Sequence, residues 1–503
     1  MGVLSAIARW RKAPAGPKRP DPAPGPTRGS GRRLILRAGF DAAKTTDENR
    51  RHWSEADHLS ADAAATPDVR RVLRARARYE AANNSYAKGI VSTLANDCVG
   101  TGPRLQVLTD DAEANAAIEA EFAAWAKAVD LPGKLRTMRM AKAVDGEAFA
   151  LLTTNPEVAS PVLLDLRLVE ADQVTTPSMR FPSLASESAV DGIEYDAFGN
   201  PTFYHVLRAH PGSLFGLPTA EFDRVPAAGM VHVFRVDRPG QSRGVPEITP
   251  ALPLFAQLRR YTLAVLGAAE TAADFAGILY TDAPAAGEAD SIEPMDTVEL
   301  ESRALVTMPA GWKMGQVDAK QPSTTYGEFK REVLNEIARC LNMPFNVAAG
   351  NSASYNYASG RLDHQTYFKA IRVERSEFES RVLDRILSEW LREAARALGI
   401  VPAELRDAMS IPHAWFWDGH EHVDPAKEAT AQSTRLASHT TTLAAEYARM
   451  GLDWEDQLRQ RAKEVALMDE LGLSPTPAPA PGSPAADPES SHSPEDDDAA
   501  VRN

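Results

Sequence analysis

The most informative stretch of the sequence is Arg238-Pro239-Gly240-Gln241-Ser242-Arg243-Gly244-Val245-Pro246. Its centre matches the G-x-S-x-G pattern of a hydrolase nucleophile elbow, and the apolar run Met230–Val236 before it predicts a strand. An elbow needs a sharp turn from a strand into a helix, with an acid and a histidine later in the chain. Prolines on both sides of the pentapeptide disfavour a helix that starts there. Catalysis by Ser242 is therefore the minor hypothesis, and a structural loop is the favoured interpretation.

The residues before this stretch, 147–240, have the period of β-strands. Phe149–Thr153 and Val162–Val169 predict two short strands. Gly192–Tyr195 and Thr202–Val206 flank a turn-rich segment, which predicts a hairpin. The sequence therefore predicts a β-rich insert between helical regions.

Farther towards the N-terminus the pattern is helical. Thr66-Pro67-Asp68 supplies an N-cap, a proline at the first helical position and a first-turn acid, and apolar spacing continues to Gly100. Asn83-Asn84 is the weak point, so either one long helix or a broken pair is expected. The first half carries a basic run, for which a solvated face is favoured over a phosphate contact: Arg70, Arg71, Arg74, Arg76 and Arg78.

After Pro250 the chain is predicted to be helical again. The stripe from Leu254 to Ala268 leaves little polar face, so this helix should be buried on several sides, in a core or among copies of itself. Four more segments have a helical pattern: Tyr326–Leu341, the long Arg361–Leu398, and two shorter helices after Pro425 and Asp453.

Composition narrows the function classes. The 503 residues include 55 Lys and Arg against 69 Asp and Glu, which gives a formal charge of −14. This mixture excludes a wholly disordered, collagenous or disulfide-scaffold protein. The acid excess argues against a protein that mainly grips nucleic-acid backbone, although not against one that DNA slides past. The two distant cysteines, Cys98 and Cys340, predict reduced thiols in a reducing compartment.

The ends and the apolar segments predict a soluble intracellular protein. The first residues have the reverse of a secretory signal's charge order, and the apolar run Tyr261–Tyr280 contains two acids. The basic, proline-rich Met1–Arg33 and the acidic, proline-rich segment from Ser474 onward are predicted to be unstructured. Solvated tails are favoured over arms that bind transient partners.

The evidence for a metal or nucleotide site in the sequence is weak. A metal cluster could be drawn from His413, His420, His422, Asp418 and Asp424, but the spacing matches no specific site and a bland loop is favoured. No stretch fits a phosphate loop or a dinucleotide fingerprint, so neither a cofactor nor a metal is predicted. Residue by residue, the pattern is that of a structural or assembly protein.

A set of ordered motifs from about residue 65 to residue 473 resembles the lambda family of tailed-bacteriophage portal proteins. The stretches, in chain order, are Arg76–Arg78, Asn83-Asn84, Asn96–Gly102, Trp125, Asp145–Phe149, Val169–Asp172, Gly192–Asp196, Tyr204–Val206, Val225–Ala227, His232–Phe234, Arg238–Pro246, Asn356–Arg361, Trp415–Gly419 and Asp424–Glu428. Each motif alone is weakly specific, and the specificity lies in their order. Gly360, between Ser359 and Arg361, and His420-Glu421-His422, in place of a short proline-bearing link, depart from the family pattern.

The resemblance implies an α+β, mainly helical portal-type subunit with long stem and wing helices and a β-rich clip and wing insert. It implies structural importance for Asn83, Asn84, Gly100, Gly102, Gly240, Gln241, Arg243, Gly244, Asn356, Tyr357, Ser359, Arg361, Asp424 and Pro425. The regions expected are an N-terminal arm (1–60), a helical wing region (61–146), the β-rich clip and wing region (147–240), a stem helix region (241–280), wing and channel helices (281–400), a C-terminal helical crown region (401–473) and an acidic tail (474–503).

The resemblance implies that identical subunits form a ring, usually a dodecamer, at the unique vertex of the capsid. Double-stranded DNA would be packaged and ejected through the ring without sequence specificity. Expected partners are the terminase large subunit, the major capsid and scaffold proteins and head-tail connector proteins, with no membrane. The chain would be a non-enzymatic virion component, assembled in the bacterial host cytoplasm.

Two alternatives stay open at this point: a serine hydrolase that uses Ser242, and a non-portal assembly protein. For the portal interpretation we further hypothesise that acidic side chains face much of the lumen, because strong phosphate pairing would stall the passage of DNA. A few Arg or Lys contacts would then act as a brake.

Overall fold

The computed structural model describes residues 45–176, 189–213, 221–274, 278–281, 312–315, 325–353, 355–401, 411–419 and 425–473. It has two units, Met1–His58 and Leu59–Asn503. The first is described only from residue 45, where the Asn49 side chain accepts a hydrogen bond from the Thr46 amide (2.8 Å). The two predicted tails, Met1–Arg33 and the segment from Ser474, lie outside the described residues.

The second unit is mainly helical. Its helices are α1 Ala61–Ala64, α2 Pro67–Asn83, α3 Ser85–Val99, α4 Ala112–Ala128, α5 Leu131–Val144, α6 Leu252–Asp274, α7 Thr325–Arg339, α8 Phe345–Ala349, α9 Tyr357–Phe378, α10 Asp384–Ala397, α11 Pro425–Ala437, α12 Leu443–Arg449 and α13 Trp454–Glu470. Within the described residues no helix is long and apolar enough to span a bilayer.

The strands form small antiparallel sheets. They are β1 Arg104–Val107, β2 Glu147–Thr154, β3 Leu164–Val169, β4 Ala189–Val190, β5 Ile193–Tyr195, β6 Pro201–Leu207, β7 Phe222–Pro226, β8 Met230–Phe234, β9 Ile278–Thr281, β10 Trp312–Gly315 and β11 His413–Phe416. Strand order is β3-β2-β8 in one sheet and β4-β5-β6-β7 in another, and β1-β11 and β9-β10 are pairs. The α+β, mainly helical class is thus confirmed, as is the hairpin of β5 and β6.

Asn84 separates α2 from α3, so the broken pair is the correct alternative. Its backbone amide still donates to Glu80 of α2 (2.8 Å), while its side chain accepts from the amides of Tyr86 and Ala87 in α3. Asparagine is a favourable N-cap because its side-chain oxygen satisfies amides that a helix start leaves free. One residue therefore ends one helix and begins the next.

The long helix predicted at Arg361–Leu398 is present, but it is not uniform. It begins four residues earlier, at Tyr357, because Asn356 and Ser359 form a capping box. A π-helical segment at Glu379–Leu383 then joins α9 to α10 without a break. Such a segment inserts an extra residue into the helical turn and changes which side chains face inward.

The main core lies where α4, α10 and the β3-β2-β8 sheet meet. Trp125, Phe122 and Trp390 are fully buried there, with ring centroids 5.3 to 6.5 Å apart. The Trp125 indole nitrogen donates to the Leu164 carbonyl (2.8 Å), which satisfies its polar atom inside the core. Two further clusters lie around Phe255 and around Phe149.

Over residues 252–270 of α6, for which burial is described, the buried side chains lie near the beginning of the helix. Phe255 and Leu258 are buried, but Leu263 is 59% exposed and Leu266 is 54% exposed. Over the residues described, the expectation of burial on several sides is therefore wrong in its first alternative, burial in a core. Its second alternative, burial among copies of the chain, stays a prediction.

Two motif glycines are required by a close approach of backbones. A Cβ on Gly244 would overlap the Gly146 carbonyl oxygen and lie 2.8 Å from Glu147 Cβ. Gly146 has φ of +90°, and a Cβ there would meet the backbone of Val245. The Arg238–Pro246 stretch thus lies against the start of β2.

We expect Gly244→Ala to lower the free energy of unfolding by about 1–3 kcal/mol, because the methyl group would overpack this contact. The matched control is Gly89→Ala, at an exposed site of α3 with open space around it. That change should stabilise the protein by about 0.5–1 kcal/mol through helix propensity. Denaturant titrations of both variants test the pair, and equal effects would contradict the close approach.

Candidate functional site

Glu147, the first residue of β2, is a buried carboxylate on which several motif stretches converge. Arg243 donates to it from Nε and Nη2 at 2.7 to 3.0 Å, and Arg74 of α2 forms a second ion pair with it. The backbone amide of Gly244 (3.1 Å) and the Nε2 of His232 in β8 (3.0 Å) also contact it. Both carboxylate oxygens are therefore fully used.

Arg243 joins three segments that are far apart in sequence. Its side chain is 1% exposed. Besides Glu147, it donates to the backbone carbonyls of Ala171 (3.1 Å), Val174 (2.9 Å) and Asp191 (2.5 Å). The guanidinium fork suits this task because it offers five N–H donors in a rigid plane.

The charges of this cluster balance. Arg70, Arg74 and Arg243 pair with Asp191, Glu147 and Asp172, which makes three guanidiniums and three carboxylates. Burial alone would raise the pKa of Glu147, but Arg243, the His232 hydrogen bond and Arg74 hold that pKa well below its usual range. We call these six residues the Glu147 cluster. Its groups are consumed in pairing, so it holds the fold together and leaves no base or nucleophile poised to react.

This cluster corrects the interpretation of the basic run on α2. Arg70 and Arg74 are buried and ion-paired inside the subunit, so the solvated-face interpretation is wrong for both. Arg78 is half-buried and binds Asp145 and Asp172. The error has a physical cause, because the helix turns these arginines towards acids on other elements that its own sequence does not reveal.

A second ionic cluster ties α5 to α9. Arg139 donates to Glu247 (2.9 Å) and Lys142 contacts Glu374 (2.6 Å). The Lys142 side chain is 0% exposed, so its charge depends entirely on these partners. Sequence reasoning missed this group, because lysine and arginine on a helix normally indicate a solvated face.

Asp418 makes a third junction. Its carboxylate accepts from the backbone amide (2.5 Å) and hydroxyl (2.7 Å) of Thr101, and any side chain on Gly100 would collide with it. Arg375 of α9 donates to the carbonyls of Asp418 (3.0 Å) and Cys98 (2.9 Å). The Gly100 motif is thus explained by a contact with a residue more than three hundred positions away.

The motif loop around Ser242 does not form an elbow. Its hydroxyl and its backbone amide each lie 2.8 Å from the carboxylate of Asp62 in α1, and no α-helix begins until α6 at Leu252, after a 3-10 turn at Thr249–Ala251. Gln241 shapes the loop by accepting from the amide of Asp237 and donating to the carbonyl of Arg243. The serine is therefore placed as a structural contact to α1.

The remaining motif residues act locally. Asn83 donates to the Tyr79 carbonyl, and Gly240 and Gly102 have positive φ. Asn356 and Ser359 cap α9, of which Tyr357 is the first residue, and Arg361 in its second turn is exposed. Pro425 begins α11, and Asp424 lies outside the described residues. These positions end or begin elements, and the structure does not gather them into one site.

Neither candidate metal group fits a cation among the described residues. His413 Nδ1 donates to the Ile411 carbonyl (2.7 Å) and its Nε2 faces Asp384 (3.1 Å), whereas His420, His422 and Asp424 lie outside the described residues. A separate group, Glu170, Asp172 and His210, comes close together, but His210 Nδ1 accepts from the Gly212 amide. The neutral ring then carries its proton on Nε2, which points at the carboxylates, and Arg78 already pairs with both acids.

The charged groups described above connect segments instead of converging on a reactive atom, which is typical of a structural subunit. The family model for phage portal proteins of the lambda family matches residues 46–375, and the chain belongs to that family. Its predicted function, that of a portal protein, is thereby confirmed.

Individual relatives agree with this assignment. The chain is 27% identical over 509 residues to a probable portal protein of Halomonas phage phiHAP-1, with 94% of each chain covered. It is 21% identical over 477 residues to portal protein B of Escherichia phage lambda, with 84% of this chain and 89% of that protein covered.

Among solved structures, the chain is similar to a chain of the neck of an empty GTA particle (TM-score 0.42, 14% identity, covering 75% of this chain and 92% of that one). It is also similar to a chain of the neck of a native GTA particle computed with C12 symmetry (TM-score 0.42, 14% identity, covering 77% and 94%).

Removing the central carboxylate should be costly. We expect Glu147→Gln to lower the free energy of unfolding by about 3–5 kcal/mol, because three buried guanidiniums would then share the two remaining carboxylates, those of Asp172 and Asp191. The control is Glu336→Gln, at an exposed position of α7, which should change stability by less than about 0.5 kcal/mol. Chemical denaturation measures both, and a near-neutral Glu147→Gln would contradict the structural role of the cluster.

His232, which contacts the Glu147 cluster, should make the fold sensitive to mild acid. Burial lowers the pKa of His232 below 6.5, against the opposing effect of Glu147. Below about pH 6.5, His232 therefore binds a proton more readily in the unfolded chain than in the folded one, so the free energy of unfolding falls as the pH drops. The Glu147 carboxylate, whose folded pKa is depressed, withdraws its contribution only at lower pH.

The test is the melting temperature at about pH 7 and about pH 5. The loss on acidification should be smaller in His232→Gln than in the wild type, whereas His58→Gln, at an exposed histidine, should keep the wild-type profile. An unchanged pH dependence in His232→Gln would show that acid lability arises elsewhere.

Proposed function

We propose that copies of this chain close into a ring, usually of twelve, at the unique vertex of a phage capsid. Double-stranded DNA passes through the ring during packaging and again during ejection. Membership of the lambda family of portal proteins, shown by the match over residues 46–375, carries this proposal.

The role proposed is that of a conduit, with no reaction catalysed by the chain. No stretch of the sequence fits a phosphate loop, so the energy for DNA movement would come from a separate terminase ATPase. Three described junctions, at Glu147, Lys142 and Asp418, tie distant segments of the subunit together. A subunit cross-linked in this way suits a part that must keep its shape while DNA is pushed past it.

The proposed partners follow from that role. The ring would dock the terminase large subunit during packaging and head-tail connector proteins afterwards, and would contact the capsid and scaffold proteins around it. We place the protein in the virion, after assembly in the host cytoplasm. The regional assignments, with α6 in the stem and residues 147–240 in clip and wing, belong to the same proposal.

The net charge of the chain supports the hypothesis that acidic side chains face much of the lumen. A formal charge of −14 per subunit makes an assembled ring strongly acidic, which would keep a passing duplex from adhering through its phosphates. A few exposed arginines would then supply friction without halting the movement. A reconstruction with a uniformly basic lumen would contradict this part of the proposal.

The direct test is negative-stain imaging and native mass spectrometry of the purified full-length chain. Closed rings with a central opening are expected, and the mass gives the subunit number. Monomers or open filaments would count against the portal role.

A functional test separates the conduit from a hydrolase. In a phage that depends on this chain, Ser242→Ala should leave the yield of DNA-filled, nuclease-protected capsids within about twofold of wild type. The reason is that only the hydrogen bond from the Ser242 hydroxyl to Asp62 is lost. Arg243→Ala should abolish the yield through loss of the fold. Empty capsids from well-folded Ser242→Ala protein would instead favour a chemical role for the serine.

A further inference from the structure

Helix α2 presents three large apolar side chains to solvent. Val69 is 42% exposed, Val72 is 45% exposed and Tyr79 is 55% exposed, whereas Arg70 and Arg74 are buried. The spacings of three and seven residues place the exposed three on one face of the helix. The helix therefore has a second apolar face, distinct from the one on which Ala77 and Leu73 pack against the core.

This apolar face continues onto α6. Arg259 of α6 donates to the Tyr79 hydroxyl (3.5 Å), and its guanidinium lies 5.8 Å from the centre of the Tyr79 ring. Leu263 and Leu266 follow Arg259 by four and seven residues, on the same side of α6, and both are more than half exposed. We call the set Val69, Val72, Tyr79, Leu263 and Leu266 the α2–α6 ridge.

The border of the ridge includes three arginines. Arg76, Arg259 and Arg260 are exposed, and none of them pairs with a carboxylate of the described residues. The chain as a whole carries a formal charge of −14, so carboxylates outnumber basic side chains in it. A large apolar surface with a charged rim is typical of a protein–protein contact.

We propose that the α2–α6 ridge is covered by a second copy of this chain, through a different surface of that copy that is rich in carboxylates. The inference rests on the proposed ring and names one of its contact faces. Two ridges facing each other would bring arginines of both copies together, so a self-complementary pairing is disfavoured. A contact between unlike surfaces is also the kind that closes into a ring.

DNA is the weaker occupant for this surface. A duplex could take the arginines as phosphate partners, but it offers no apolar surface on the backbone to cover two valines and two leucines. Another copy of the chain can satisfy both the apolar centre and the basic border.

Glutamate substitutions on the ridge test this proposal. Val72→Glu lies one turn before Arg76 and Leu263→Glu lies one turn after Arg259, so each new carboxylate can pair on its own helix and the subunit should fold. We expect either change to raise the protein concentration needed for half-maximal ring assembly by about tenfold or more, since a charge would be buried in the contact. Circular dichroism and the melting temperature of the subunit should stay close to wild type.

The matched control is Phe198→Glu. Phe198 is 82% exposed on the turn between β5 and β6, outside the ridge, and its substitution should leave ring assembly unchanged. Rings that form normally with Val72→Glu and Leu263→Glu would overturn the proposed interface while leaving the portal role intact. A wild-type chain that never forms rings would overturn both.

A photocrosslinking amino acid in place of Val72 identifies the occupant. In rings mixed from isotope-labelled and unlabelled chains, the crosslink should join residue 72 to an acidic segment of a different copy. Crosslinks from residue 72 to residue 72, or capture of added duplex DNA in preference to the chain, would overturn the proposal.

Discussion

The pairing of Glu147 with Arg243 is the interaction on which the rest of this subunit depends. It joins the first residue of β2 to the motif loop, and through the other donors of Arg243 it also fixes the segments at Ala171, Val174 and Asp191. A buried ion pair adds little net stability over apolar packing, but a half-broken one is very costly. The cluster therefore acts mainly as a constraint, since the subunit cannot rearrange one of these segments without stranding a charge.

This constraint has a consequence for the outer surface. Because α2 turns Arg70 and Arg74 inward to reach acids on other elements, its valines and Tyr79 are left facing solvent. In a monomer, such exposure would favour non-specific association. In a protein that belongs to a portal family, the same exposure is available for assembly, so the inner charge network and the outer apolar ridge are two results of one helix orientation.

Much of the local structure could be predicted from the sequence. The possible break at Asn83-Asn84, the β5–β6 hairpin and the long helix predicted at Arg361–Leu398 follow from local sequence signals and from hydrophobic period, which act between near neighbours. The short helix α12 was missed, and the π segment at Glu379–Leu383 leaves no mark in the spacing of apolar residues. The ionic clusters could not be predicted because their partners lie far apart, as Glu147 and Arg243 do, and because an arginine on a helix normally indicates solvent. Likewise, the need for glycine at positions 244 and 100 becomes visible only when Gly146 and Asp418 are in place.

The central claim is that one subunit builds its own charged core and leaves the face of α2 and α6 for another copy. Hydrogen–deuterium exchange, measured on the chain before and after assembly, tests this claim most directly. The account predicts that amides of β2 and β8, around Glu147, are already protected in the unassembled chain and change little. Added protection on assembly should appear in Pro67–Asn83 and in the second half of Leu252–Asp274. Protection of β2 and β8 that appears only on assembly, or none gained along α2 and α6, would contradict it.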